Sequence, residues 1–275
     1  MSTPALQFTS VHKRYGKAPV LRGIGLTVPA GEFFGLVGMN GAGKTTLLKC
    51  LLDFCATDQG EIRIAGVSNR LPASRQPLSF LPERFMPPYY LNGRDFLRYM
   101  LTLQSVPFDE GRALATMAAL DLQAEALSRP VRSFSKGMTQ KLGLAACFLA
   151  QKSIYVLDEP MSGLDPKARA LLKRHLRGLR ERGCTLFFSS HALADVEEIC
   201  DRMAILHEGT LRFVGTPAQC RRQYGAATLE QAYLHCIGEG GVDGNGGTPS
   251  ADGPVPRGTM TQPQTADAAR EAETA

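Results

Sequence analysis

The sequence predicts an α/β fold with a mixed or parallel sheet, an N-terminal antiparallel β subdomain and an inserted α-helical subdomain. Short apolar runs of strand length recur along the chain, and several end abruptly in glycine or polar residues. Between about Glu83 and Lys152 this strand pattern disappears, and helical periodicity replaces it. The chain has 275 residues, of which 44% are hydrophobic, so it can bury one sizeable core, or a core and a small subdomain.

Six apolar runs predict strands. A glycine-rich loop, the pair Asp158 and Glu159, and His191 follow three of these runs. Loops at the carboxyl ends of parallel strands converge, so these three groups are predicted to meet at one site. The six runs are Leu6 to Val11, Phe33 to Val37, Glu61 to Ile64, Ile154 to Leu157, Thr185 to Ser189 and Met203 to Leu206.

Helical spacing dominates the middle of the chain. Asn92, with Asp95 three residues later, predicts an N-cap at the start of the first of these helices. A later helix, Lys167 to Arg182, repeats apolar residues at helical spacing and places basic residues such as Lys173 mainly on the other face. We interpret that face as an ordinary solvated one, so the net charge of +5 does not indicate a nucleic-acid partner. The middle helices are predicted at Gly93 to Leu103, Asp109 to Leu120 and Lys136 to Ala150.

Composition and the order of apolar and charged residues indicate where in the cell the protein is expected. No stretch approaches the ~20 apolar residues that span a bilayer, so any membrane role needs a partner. The first residues lack a basic segment followed by an apolar one, so no secretory signal is expected and a cytoplasmic location is predicted. The seven cysteines contain no Cys-x-x-Cys pair, as is typical of reduced thiols, and a metal site at Cys50 and Cys55 is not favoured because no matching His or Cys pair lies nearby.

The loop from Gly38 to Thr45 reads Gly-Met-Asn-Gly-Ala-Gly-Lys-Thr. A nucleoside triphosphate needs a concave array of backbone N–H donors, a cation and a hydroxyl for Mg²⁺, and this loop supplies all three. Lys44 is placed to reach the phosphates, and Thr45 to ligate Mg²⁺. A chance glycine turn is the alternative, and the rest of the chain argues against it. The predicted nucleotide contacts here are Gly38, Met39, Asn40, Gly41, Ala42, Gly43, Lys44, Thr45 and Thr46.

Two carboxylates end the apolar run from Ile154 to Leu157. Asp158 is predicted to bind Mg²⁺, directly or through water, and Glu159 to polarise the water that attacks a phosphate. The alternative is a solvent-exposed acidic turn before Pro160. The glycine-rich loop elsewhere in the chain favours nucleotide hydrolysis.

The stretch Ser-Phe-Ser-Lys-Gly-Met-Thr-Gln from Ser133 to Gln140 adds a third motif. With it, the chain from about Leu6 to Pro217 resembles the ATP-binding subunit of an ABC transporter, and the resemblance implies a P-loop NTPase core. The family signature is usually Leu-Ser-Gly-Gly-Gln, of which Ser135 and Gly137 keep two residues. The resemblance implies that both contact a γ-phosphate, whereas the local pattern by itself predicts a helix N-cap at Ser135; both interpretations can hold together.

Further residues match the family in the expected order. Tyr15 resembles the aromatic residue on which adenine stacks, although a lone tyrosine beside a glycine is also typical of a plain turn. Asp165 lies in a stretch resembling the loop that crosses the dimer interface, and Asp165-Pro166 could equally be a helix start alone. His191 resembles the switch histidine that contacts the γ-phosphate.

One position departs from the family pattern. The family often has Gln in the loop that joins the core to the helical subdomain. Here the sequence Leu-Pro-Glu has Glu83 at that position. Its carboxylate could sense Mg²⁺ or water but cannot donate an amide hydrogen bond. The Leu-Pro-Glu and Ser-Lys-Gly-Met variants resemble a bacterial subgroup that includes ATPases of drug, copper-maturation and haem-export systems, which favours export.

Four segments are predicted. The resemblance implies an ATP-binding core in two parts, 1–83 and 153–233, and the loss of strand pattern between them predicts a helical subdomain at 84–152. A composition rich in Gly, Pro, Thr, Ala and acidic residues predicts a disordered tail at 234–275, with a regulatory tail as the alternative.

The resemblance also implies ATP and Mg²⁺ as ligands, a second ATPase subunit in a head-to-tail homodimer, and a transmembrane permease that holds the protein at the inner face of the membrane. No nucleic-acid partner is expected. The alternative is a soluble ATP-driven switch acting on ribosomes or DNA, but the family members of that kind usually carry two ATPase domains or a long coiled coil, and neither is visible here.

Overall fold

The structure, a computed structural model, describes residues 3–238. The strands are β1 (Leu6–Tyr15), β2 (Ala18–Val28), β3 (Phe33–Val37), β4 (Gln59–Ile64), β5 (Val67–Ser68), β6 (Leu78–Leu81), β7 (Ile154–Asp158), β8 (Thr185–Ser190), β9 (Arg202–His207) and β10 (Thr210–Gly215). The α-helices are α1 (Lys44–Leu51), α2 (Gly93–Leu103), α3 (Glu110–Ala119), α4 (Lys136–Leu149), α5 (Pro166–Glu181), α6 (Leu193–Ile199), α7 (Pro217–Gln223) and α8 (Leu229–Ile237).

The central sheet has six strands in the order β10-β9-β3-β8-β7-β6. Its strands pair in parallel, except that β10 joins β9 antiparallel. Every residue of β3, β7 and β8 is buried, and β3 and β7 are almost continuously apolar, whereas β8 also carries Thr185, Ser189 and Ser190. The register places Asp158 beside Ser189 and Val37 beside Ser190, so the carboxyl ends of these three strands lie side by side.

A second sheet, antiparallel in the order β2-β1-β4-β5, covers one face of the central sheet together with α1. Phe187 of β8 joins the two sheets, because its ring centroid lies 5.7 Å from that of Phe34 and 6.1 Å from that of Phe8. The other face packs against the helices in a separate cluster that includes Phe33, Tyr155 and residues of α2 to α6. The predicted fold class is confirmed.

All six predicted strands are present, most of them longer than predicted. Four more, β2, β5, β6 and β10, were not predicted. In β2 the alternation of buried and exposed residues is interrupted by two successive exposed residues, Arg22 and Gly23, and β6 is only four residues long. Such short or half-buried strands carry a weak periodic signal.

The helical segment lies between β6 and β7, and none of the strands of residues 3–238 falls inside it. Asn92 accepts a hydrogen bond from the Asp95 N–H at 2.8 Å, so the predicted cap at the start of α2 is confirmed. The predicted tail is wrong at its start, because residues 234–237 complete α8. The rest of that prediction, from residue 239, lies outside the described residues. Within the described part of the chain, no helix combines the length and the hydropathy needed to cross a bilayer.

The interpretation of the basic face of α5 as freely solvated is wrong for Lys173. Its side chain is 16% exposed, and its Nζ lies 2.8 Å from Asp195 Oδ1 and 2.6 Å from Glu198 Oε2, both on α6. Arg177 also pairs with Glu198, at 2.7 Å. Acidic side chains of α6, the helix that follows β8, therefore neutralise much of the positive charge of this face.

Candidate nucleotide and magnesium site

The glycine-rich loop links the end of β3 to the start of α1. A Cβ added to Gly38 would lie 2.4 Å from the carbonyl oxygen of Leu206 on β9, so only glycine fits there. Gly43 caps α1 with φ at 110°, a backbone conformation that side chains disfavour. No side chain caps α1 and no acidic residue lies in its first turn, so its first N–H groups and its positive dipole end remain available to an anion.

Lys44 opens α1 and is buried, with 7% of its surface exposed. Its Nζ donates hydrogen bonds to the carbonyl oxygens of Gly38 at 2.5 Å and Met39 at 3.3 Å, so the ammonium lies over the loop. Burial lowers the pKa of Lys44, and the neighbouring carboxylates, Glu159 foremost, oppose that effect.

Asp158 is the last residue of β7 and is almost fully buried. Ser189 Oγ donates a hydrogen bond to Asp158 Oδ1. Burial raises the pKa of Asp158, while that hydrogen bond and the nearby Lys44 lower it. The predicted alternative of a solvent-exposed acidic turn is therefore wrong for this residue.

Glu159 follows in a left-handed backbone conformation, with φ at 49°. Its N–H donates to Ser189 Oγ at 3.0 Å. Its carboxylate lies between the side chains of Lys44 and His191, with Oε1 3.9 Å from Lys44 Nζ and Oε2 2.9 Å from His191 Nδ1. The three groups that follow β3, β7 and β8 thus meet at one place, as the strand order predicts.

A cavity of about 330 Å³ lies above the loop. Tyr15 forms one wall, about half exposed, and Glu83 and the two carboxylates form another. The position of Tyr15 beside the loop is compatible with base stacking, while its hydroxyl contacts Cys55 Sγ at 3.8 Å. The loop contributes Met39, Asn40, Gly41, Gly43, Lys44, Thr45 and Thr46.

The oxygen atoms around this cavity fit Mg²⁺. Thr45, Glu83 and Asp158 line both it and a neighbouring cavity of about 370 Å³. The carboxylates of Glu83, Asp158 and Glu159 lie near the Lys44 ammonium, so carboxylate oxygens are available to a cation beside the loop. Within residues 3–238, no cluster of three or more His, Cys, Asp and Glu side chains forms a metal cage. Mg²⁺ is usually held by one or two carboxylates together with phosphate oxygens and water, so Thr45, Glu83 and Asp158 could hold it beside a bound nucleotide.

The signature residues lie elsewhere on the subunit. Ser135 caps α4 and accepts a hydrogen bond from the Met138 N–H at 3.2 Å, and Asp165 caps α5 and accepts from the Ala168 N–H at 2.9 Å. A Cβ on Gly137 would lie 3.0 Å from the carbonyl oxygen of Gly163, so the start of α4 packs closely on the loop before α5. The predicted helix caps are confirmed. None of these residues lines the cavity above the loop, and their contact with a γ-phosphate stays a prediction.

Two polar residues at the site were not assigned a role from the sequence. Ser189 bonds to both carboxylate-bearing residues, and Gln140 Nε2 donates to the Pro160 carbonyl oxygen at 3.2 Å, which ties α4 to the turn after Glu159. The sequence signal that could have found them is a polar residue within a predicted strand or on the apolar face of a predicted helix. It shows that a side chain needs a partner, without identifying the partner.

Comparison with known proteins agrees with this geometry. The family model described as ABC transporter matches residues 21–162. An uncharacterized ABC transporter ATP-binding protein of Synechocystis is 40% identical over 74% of this chain and 58% of its own length. A Nod factor export ATP-binding protein I of Burkholderia lata is 36% identical over 79% of this chain and 72% of its own. The linearmycin resistance ATP-binding protein LnrL of Bacillus subtilis is 27% identical over 85% and 76%.

The fold also matches a solved structure of an ATP-binding subunit of an ABC transporter, with a TM-score of 0.79 and 30% identity over 84% of this chain and 99% of that one. The chain spans 58% of the length of the Synechocystis relative and 59% of a similar Nostoc protein. The family match, the relatives and the loop, carboxylate and signature motifs together show that this chain belongs to the ABC transporter family, among its ATP-binding proteins.

Proposed function

We propose that this protein is an ATPase that works as a head-to-tail pair and powers the export of a substrate through a separate transmembrane permease. The observation that carries the proposal is the placement of the Glu159 carboxylate, between Lys44 and His191 and at the mouth of a phosphate-binding loop. A carboxylate in that position can accept a proton from an attacking water. The adjacent Lys44 ammonium offsets its charge and that of the γ-phosphate.

Each residue has a separate task in hydrolysis. The loop N–H groups and Lys44 hold the phosphates, and Tyr15 stacks on the base. Glu159 orients the water, while His191 holds the Glu159 carboxylate and contacts the γ-phosphate. Thr45 and Asp158, with Glu83 at the rim, would hold Mg²⁺, which neutralises phosphate charge when bound.

A second subunit completes the site in this proposal. Ser135, Gly137 and Asp165 lie outside the cavity of their own subunit, and Ser135 and Asp165 are exposed at helix starts. In a head-to-tail pair they would close over the γ-phosphate held by the partner. A homodimer is the simplest such pair. ATP binding would then drive closure, and hydrolysis would release it.

The loop between β6 and α2 offers a surface for the permease. Met86 is 86% exposed, and Tyr89 and Tyr90 are 70% and 73% exposed, which is unusual for side chains of this type. This loop begins at Glu83 in the site and leads into the helical subdomain, proposed at 84–152 between the two core segments 1–83 and 153–233. It can therefore carry movement from the nucleotide to a membrane partner. Binding to that partner would hold the protein at the inner face of the membrane.

The direction of transport rests on the relatives. Two of them are named for Nod factor export and for linearmycin resistance, and both names favour export. The same names favour a transporter subunit over a soluble switch that acts on ribosomes or DNA. Isolation of the tagged chain from membranes with a permease would support transport, whereas isolation with ribosomes or DNA and no membrane protein would contradict it.

The decisive variant is Glu159→Gln, which keeps the size and most contacts of the side chain but removes the base. We expect turnover to fall by about 100-fold or more, while ATP still binds and traps a dimer that gel filtration resolves. Glu230→Gln, an exposed position on α8, is the matched control. Hydrolysis by Glu159→Gln at the wild-type rate would show that Glu159 is not the base.

A further inference from the structure

Ser189 is fully buried at the carboxyl end of β8, with 0% of its surface exposed. In the sheet register it is the direct neighbour of Asp158 on β7. A serine hydroxyl buried in the central sheet needs hydrogen-bond partners to offset its loss of water. Both partners of the Ser189 hydroxyl lie in the adjacent residues Asp158 and Glu159, at the end of β7.

One hydroxyl makes both bonds. Ser189 Oγ donates its only hydrogen to Asp158 Oδ1 and accepts the N–H of Glu159 at 3.0 Å. Because a hydroxyl has a single donor, the bond to Asp158 determines its orientation, and its lone pairs then face the Glu159 N–H. The two residues proposed to hold Mg²⁺ and to activate water are therefore joined through one side chain of the next strand.

The backbone of Glu159 requires such support. With φ at 49°, this non-glycine residue lies in the left-handed region, which is persistently occupied only where surrounding contacts hold it. The end of β8 holds Glu159 twice: Ser189 bonds its backbone, and His191 contacts its carboxylate at 2.9 Å. Movement of β8 would therefore change the position of Glu159 as a whole.

We propose that Ser189 is a positioning residue for both carboxylates. Through its donated bond it holds Asp158 Oδ1 and leaves Oδ2 to a cation, and through its accepted bond it keeps Glu159 in the conformation that directs its carboxylate towards His191. This inference rests on the proposed ATPase function and names a further residue on which that function depends.

The test compares three substitutions. Ser189→Ala removes the hydroxyl, Ser189→Cys keeps nearly the same volume with a weak donor, and Ser189→Thr keeps the hydroxyl. We expect kcat of the first two to fall by about 10- to 100-fold, the loss associated with one hydrogen bond to a charged group, while KM for ATP changes by less than about threefold. Ser189→Thr should recover most of kcat.

A binding measurement gives a readout that does not require turnover. Titration of Mg²⁺ against a fluorescent ATP analogue should show that Ser189→Ala needs several times more Mg²⁺ for tight binding, with unchanged affinity in EDTA. Ser79→Ala is the matched control, because Ser79 is a buried serine on β6 of the same sheet whose hydroxyl donates to the Cys147 carbonyl oxygen. It should change neither quantity.

The outcomes separate the alternatives. If Ser189→Cys keeps wild-type kcat and Mg²⁺ dependence, packing volume and not hydrogen bonding is what matters, and the proposal is overturned. Equal effects of Ser189→Ala and Ser79→Ala would also overturn it. If Ser189→Ala does not fold, Ser189→Cys decides. A wild-type protein that hydrolyses no ATP would contradict the proposed function alone, because the Mg²⁺ titration would still test Ser189.

Discussion

His191 Nδ1 lies 2.9 Å from Glu159 Oε2, although the imidazole is 68% exposed and the carboxylate is largely buried. The ring therefore contacts a largely buried carboxylate from the solvent side. The contact joins the ends of β7 and β8, so the position of the proposed base depends on a residue of the neighbouring strand.

We therefore expect His191→Ala to lower kcat by about 100-fold with a much smaller rise in KM for ATP, because the imidazole holds the carboxylate of the proposed base, whereas its proposed γ-phosphate contact is one of many contacts to the nucleotide. Steady-state phosphate release measures both constants. His235→Ala, on the exposed face of α8, serves as the control and should keep wild-type values. A rise in KM at constant kcat would assign His191 to nucleotide binding instead.

Gly38→Ala should disrupt the loop before any ligand binds. The added Cβ would lie 2.4 Å from the Leu206 carbonyl oxygen, so β9 or the loop must move. We expect a loss of about 2 kcal/mol or more in the free energy of unfolding, together with weaker ATP binding. Denaturant titration measures the first and a fluorescent ATP analogue the second. Gly25→Ala is the control, since its Cβ would meet nothing within 4 Å, and equal stability of the two variants would contradict the prediction.

Lys173→Met should destabilise the packing of α5 on α6. Asp195 is 5% exposed, and its Oδ2 has no hydrogen-bond partner among the described residues, so Lys173 provides its principal compensation. Removing one partner of a buried ion pair leaves an uncompensated charge, and we expect a loss of about 3 kcal/mol in the free energy of unfolding. Arg174→Met changes an exposed neighbour on the same helix and should cost less than about 0.5 kcal/mol. Thermal and urea unfolding of the two variants would reveal whether this difference exists.

Asp121 predicts a pH dependence of stability. Hydrogen bonds from Lys167 of α5 and Lys141 of α4 lower the pKa of Asp121 below its ordinary value. A carboxylate with a lowered pKa in the folded state stabilises the protein above its unfolded pKa, near 4, and this contribution disappears as the pH falls through the folded pKa.

Asp121→Asn should therefore be less stable than the wild type at pH 7, by up to about 1 kcal/mol because the pair is partly exposed. The difference should shrink progressively below about pH 4. Urea unfolding at a series of pH values measures it, and a difference that persists unchanged to pH 2 would exclude the ion pairs as its source.

Local sequence patterns were sufficient to predict much of the fold. The inner strands β3 and β7 are short apolar runs, β8 contains one, and the caps at Asn92, Ser135 and Asp165 depend on residues three apart, so these strands and caps could be predicted. The strands β2 and β10 could not, because strands of which one face is exposed depend on partners that only the folded chain supplies. The error at Lys173 has the same origin: helical spacing assigned it to a polar face but could not show that α6 covers it.

The sequence alone determined the chemistry of this protein: a glycine-rich loop with Lys44, two carboxylates at the end of a strand, a signature stretch and His191, in the order typical of the family. These features are contiguous or lie at strand ends, so composition and spacing reveal them. Only the tertiary structure decided which of them lie in contact and through which atoms. The contact of Glu159 with His191 and the bonds of Ser189 join residues about 30 apart in sequence, and they hold Glu159 in its left-handed conformation. Such contacts depend on the register of β7 against β8, which arises when the strands pair in the core and leaves no local pattern.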